Sequence, residues 1–109
     1  MEWADAGSLH DLIGARGRLG LEQTLDILRQ VGDAVNQDWD RVMRCLKLGG
    51  FVNCGPDFVD QSLVINAASD LMVSALGEGR GKHARFAVGA PSLPAGFAVE
   101  IDAMFEIKL

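Results

Sequence analysis

The sequence predicts an α+β fold, one sheet of at least three strands covered by two long helices, and three observations carry that prediction. Two stretches, about 20–35 and 60–76, repeat apolar residues at helical spacing. A stretch at about 98–108 alternates apolar and polar residues strictly, the period of a strand with one packed face. Clusters of Gly and Pro separate these segments with turn chemistry. Residues 1–109 form one domain, because two cores of half this size would each be marginal.

In chain order, Ser8-Leu9-His10-Asp11 offers a capping box in which the Ser8 hydroxyl accepts from free amides of a first turn. Leu9, Leu12 and Ile13 share a face there, and Gly14 and Gly17 are expected to end this short helix. From Gly20 to Val35, Leu21, Leu25, Leu28 and Val31, with Ile27 and Ala34 beside them, repeat at helical spacing against Glu22, Gln23, Arg29 and Gln30. Val42 to Asn53 carries apolar residues without helical caps, which predicts a strand bent or bulged at Gly49-Gly50. Gly55-Pro56-Asp57 ends it in a turn.

From Asp60, the residues Leu63, Val64, Ala67, Ala68, Leu71, Met72, Ala75 and Leu76 give the second long helix a wide apolar face. Gly77, Gly79 and Gly81 close it. Strands at about 84–90 and 98–108, with Pro91-Ser92-Leu93-Pro94 between them, read as a closing hairpin. Phe86 and Val88 share one face of it, and Val99, Ile101, Ala103, Phe105 and Ile107 alternate with Glu100, Asp102, Met104, Glu106 and Lys108.

Composition narrows the function classes. A hydrophobic share of 49% beside 23% charged residues suits a folded globular chain and argues against disorder. A formal charge of −5 without any basic run gives no electrostatic footprint for nucleic acid. The apolar runs are shorter than the ~20 residues of a membrane span, and the N-terminus lacks the pattern of a signal peptide, so a cytoplasmic protein is expected. Cys45 and Cys54 have no second Cys/His pair at metal-ligand spacing, so no metal is expected and both read as reduced, packed thiols. No motif implies a cofactor. His10 and His83 read as surface residues, and Trp3 and Trp39 as core or interface anchors. Gly77, Gly79 and Gly81 with Arg80 and Lys82 are not preceded by a strand, so a phosphate loop is set aside in favour of a helix-ending loop.

Asp40-Arg41-Val42, Gly50-Phe51-Val52-Asn53, Val64-Ile65-Asn66-Ala67-Ala68-Ser69-Asp70-Leu71 and His83-Ala84-Arg85 resemble the RidA/YjgF family of enamine/imine deaminases. The branch in view is often labelled chorismate-mutase-like or L-PSP endoribonuclease-like. The resemblance runs over residues 38–109 and implies that Arg85 grips a substrate carboxylate while Glu100 handles water or a proton in catalysis. A guanidinium can give two parallel bonds to a carboxylate, and a shielded carboxyl can serve as acid or base. It also implies a homo-oligomer with small carboxylate metabolites bound in clefts between subunits. Departures from the family pattern are Ala87, where a cysteine is common, and Ser92, where an arginine often precedes Leu-Pro.

The family's first β-hairpin has no counterpart in these residues. Instead, residues 1–36 look like the hinge and following helices of a protein kinase, without a glycine-rich loop, HRD or DFG motif. The expectation is therefore a chimera with a truncated sheet and weak or lost deaminase activity. The alternative is a non-enzymatic, recombined folded module or interaction domain. Ribonuclease activity is disfavoured by the negative charge. Arg85 could also be a strand-edge arginine with its head in water, and Glu100 a solvated strand residue.

Overall fold

The computed structural model describes residues 6–109, with side chains from Asp11 onward. Trp3 and the side chains of Ser8 and His10, on which three sequence expectations rest, lie outside them. The elements are α1 (Ala6–Ala34), β1 (Val42–Asn53), α2 (Gln61–Leu76), α3 (Glu78–Gly81), β2 (Ala84–Ala90) and β3 (Val99–Ile107). The α+β class and the three expected strands are observed, the third as Val99–Ile107. No helix of the described residues is long and apolar enough to cross a membrane.

The first correction concerns α1, which runs unbroken for 29 residues through Gly14, Gly17 and Gly20. Its buried seam is Gly17, Gly20, Thr24, Leu28 and Gly32, a stripe of mostly small residues, with Val35 buried just beyond its end. A Cβ on Gly17 would lie 3.5 Å from the Val64 carbonyl oxygen and one on Gly20 3.7 Å from the Ile101 and Val99 side chains, ordinary contact distances that place the seam directly against α2 and β3. Packing along that seam outweighs the ~1 kcal/mol by which each interior glycine weakens a helix. Leu25, expected on the buried face, is 42% exposed. The helix ends where Asn36 and Gln37 adopt left-handed φ of 54° and 64°, with the Gln37 amide donating to Gly32 O at 2.7 Å.

A Cβ on Gly14 would meet nothing within 4 Å. Gly14→Ala is therefore expected to stabilise the protein by ~0.5–1 kcal/mol, seen as a higher urea midpoint. A lower midpoint would contradict a helix that continues through residue 14.

The second correction is topological. The sheet order is β2-β1-β3, with β2 parallel and β3 antiparallel to β1. β2 and β3 thus form no hairpin. Strands β1 and β2 are joined in parallel through α2, since parallel neighbours need a long crossover. Residues 91–98 instead pass over the end of β1, where the Cys54 amide donates to Ala90 O at 3.0 Å and the Asn53 amide to Ala98 O at 2.9 Å.

The third correction concerns β1 itself, whose register shifts fall between Val42 and Arg44 and between Cys45 and Lys47, not at the glycines. They explain why Val42, Cys45 and Leu48, three residues apart, are all buried. Gly50 answers a different need, because a Cβ there would sit 2.5 Å from the Ile65 side chain. That side chain is fully buried, as are Leu48, Val64 and Met72, whereas Leu63, expected on the inner face of α2, is 52% exposed.

Pairing assigns the faces. Leu48, Gly50 and Val52 look toward the helices with their partners Arg85, Ala87 and Gly89 on β2 and Ala103, Ile101 and Val99 on β3. The opposite face carries Lys47, Phe51, Phe86, Val88, Glu100, Asp102 and Met104. There the rings of Phe51 and Phe86 meet edge to face at 5.2 Å, and Lys47 Nζ lies 5.2 Å from the Phe86 centroid.

Candidate functional site

The crossover places α2 beside the β2 edge of the sheet, and a polar cluster forms between them. Asn66 and Ser69 stand three residues apart on α2 and so share the face turned to that edge. Arg85, the second residue of β2, donates from Nη1 to Asn66 Oδ1 at 2.9 Å and to Ser69 Oγ at 3.2 Å. Both acceptors are neutral, and among the described residues Arg85 has no carboxylate partner. The Nε and Nη2 edge of the guanidinium has no protein acceptor among them either. That edge is the one that pairs bidentately with a carboxylate.

His83 completes the cluster. Its Nδ1 lies 2.5 Å from Gly81 O, and its Nε2 3.0 Å from Ser69 Oγ. A carbonyl only accepts, so Nδ1 carries the proton and donates to Gly81 O, at the end of α3 where carbonyls lack helical partners. In the neutral ring Nε2 is then the acceptor for the Ser69 hydroxyl. His83, expected at the surface, is half-buried and partnered on both nitrogens. Nothing in the sequence set Asn66 and Ser69 apart, since α2 also carries Gln61, Ser62, Asp70 and Ser74.

Glu100 lies elsewhere. It pairs with Phe51 on the face turned away from the helices, on the opposite edge strand from Arg85. It lines a cleft of about 420 Å³ with Leu19, Glu22, Gln23, Asp26 and Phe97, which holds three carboxylates and no cationic lining residue. Within one chain the structure does not bring Arg85 and Glu100 together. Gln23 closes the start of this edge, accepting from the Ile101 amide at 2.8 Å and donating to Val99 O at 2.6 Å.

The thiols offer little chemistry. Cys45 is buried, and burial pushes its thiol up from the ordinary value, although a backbone hydrogen bond with Lys47 opposes this. Cys54 is half-buried and accepts from Gln61 Nε2 at 3.7 Å. Trp39 packs partly buried against the core, as expected of an anchor.

No family model matches the chain. It is 51% identical over 84 residues to Protein TCP17 of Trypanosoma cruzi, a span of 77% of this chain and 52% of that protein. The crystal structure of Agrobacterium tumefaciens protein Atu1372, of unknown function, superposes with a TM-score of 0.84 at 46% identity, over 89% of this chain and 61% of that one. A Shewanella oneidensis protein described as a "putative endoribonuclease" superposes with a TM-score of 0.80 at 21% identity, over 87% of this chain and 62% of that one. The chain thus spans about half to three fifths of the length of these proteins. It shares the fold of the last. The expected kinase-like segment finds no support, since residues 38–109 are too few to account for a match over 89% of the chain, which therefore reaches into α1.

Proposed function

We propose that the chain is a RidA/YjgF-like protein that binds small carboxylate metabolites at Arg85, with enamine or imine deamination as its reaction class. The observation that carries this reading is the Arg85 guanidinium, which is anchored by Asn66 and Ser69 through one nitrogen and has no described carboxylate against it. A charge held in place by neutral acceptors keeps its affinity for an incoming anion.

Because Glu100 occupies the other edge and face, catalysis on a carboxylate held by Arg85 calls for Glu100 of a neighbouring copy. A homo-oligomer belongs to the same reading. It is supported by the sheet face that no described helix covers, where Met104 is 59% and Val88 41% exposed. The separation of Arg85 from Glu100 equally favours a second reading, a carboxylate-binding module without catalysis.

Calorimetric titration with 2-oxobutanoate tests the proposal. Arg85→Ala removes charge-assisted bonds worth ~1.5–3 kcal/mol, so affinity should fall ~10- to 100-fold. Equal affinities would make Arg85 a structural residue. Mixing Arg85→Ala with Glu100→Gln chains then separates the two readings, because shared sites recover turnover in mixed oligomers and a pure binding module has none to recover.

A further inference from the structure

We propose that Ser69 is a nucleophile activated by His83, able to take the acyl group of small esters. This activity goes beyond the carboxylate-binding reading and does not depend on it. The signature of an activated serine is a hydroxyl within hydrogen-bond reach of a base that a third group orients. All three parts are present. Ser69 Oγ is 3.0 Å from His83 Nε2, and His83 Nδ1 is 2.5 Å from Gly81 O. The contact with Gly81 fixes the tautomer that leaves a lone pair on Nε2 facing the hydroxyl.

Arg85 supplies the fourth element, a cation at the reacting oxygen, with Nη1 3.2 Å from Ser69 Oγ. Charge developing on an acyl oxygen beside Oγ would fall within its reach. In the acylation step Oγ bonds to the acyl carbon and its proton passes to Nε2, while the carbonyl π pair moves onto the acyl oxygen. As the carbonyl re-forms, the bond to the alcohol oxygen breaks, and the alcohol leaves with the proton from Nε2. Water then adds to the acyl-serine and gives a proton to Nε2, and Oγ departs with that proton, releasing the carboxylic acid. The reaction uses only ester and water.

The backbone supports the geometry. α3 ends at Gly81, and a Cβ at that residue would sit 2.5 Å from Val73 Cα, so α3 presses directly on α2. That close approach puts the Gly81 carbonyl in position to hold the imidazole over Ser69, which lies on the same helix as Val73.

The test is site-resolved labelling of the full chain with p-nitrophenyl acetate, read by peptide mass spectrometry. Wild type should carry acetyl on Ser69, and Ser69→Ala should lose that adduct. His83→Asn keeps a donor for Gly81 O but removes the base, and should slow Ser69 acetylation ~100-fold, the usual scale of general-base assistance. Circular dichroism checks that both variants are folded; if His83→Asn is not, His83→Gln takes its place. A wild-type protein acetylated only on lysines would overturn the proposal without recourse to any variant. So would Ser69 acetylation at an unchanged rate in a folded histidine variant.

Discussion

Leu48→Ala is expected to lower the unfolding free energy by about 2–5 kcal/mol, the range for emptying a fully buried leucine site. Leu48 is 0% exposed and lies on the central strand, with Arg85 opposite on β2 and Ala103 opposite on β3. It belongs to the buried cluster with Ile65, Met72 and Val99. Sheet neighbours on both sides and helices above leave the surroundings little freedom to collapse into the space. Urea unfolding of wild type and variant measures the loss from the shift in midpoint at constant slope. Leu63→Ala provides the contrast, because Leu63 is 52% exposed and a surface change should stay within ~0.5 kcal/mol of wild type. A loss below about 1 kcal/mol for Leu48→Ala would show that the core is not centred on β1.

What the sequence disclosed about this fold followed from which residues carry its packing. The span of β1, the start of α2 near residue 60 and the alternation in β3 were legible, because apolar side chains mark them with their own period. The length of α1 was not. Its inner seam is built largely from Gly17, Gly20, Thr24 and Gly32, whose small or polar side chains leave no hydrophobic periodicity to read. The strand order was also hidden, since residues 91–98 carry the Pro and Gly of a turn whether they close a hairpin or cross the end of a strand.

The candidate site was legible in the same uneven way. Arg85 could be singled out through the resemblance, but its helper residues could not, because Asn66, Ser69 and His83 meet only when α2 crosses back onto β2. Glu100 illustrates the converse. Fifteen positions along the chain from Arg85 looked close, yet strand parity and sheet order send the two side chains to opposite faces and edges. One residue of register decides which face a strand residue serves, and no composition argument can supply it.

Arg16→Ala is expected to cost about 1.5–3 kcal/mol, the range for a lost hydrogen bond from a charged donor. Arg16 is only 8% exposed, and its Nη1 donates to the carbonyl of Asn53, the last residue of β1. That residue is where residues 91–98 cross over, with the Asn53 side chain donating to Phe97 O at 3.2 Å. Arg16 therefore ties the first half of α1 to the point at which the sheet changes edge, and its removal leaves a strand-end carbonyl for water to satisfy. Arg16→Met separates the two contributions, since it retains an apolar stem and lacks the donor. If the methionine variant is as unstable as the alanine one, the bond to Asn53 carries the effect; if it recovers, stem packing does. Urea midpoints for both, unchanged from wild type, would mean that α1 docks through its small-residue seam alone and that residues before Gly17 are dispensable to the fold. The continuous helix predicts the opposite, because a buried guanidinium without an ion pair among the described residues is tolerated only where its hydrogen bonds repay its desolvation.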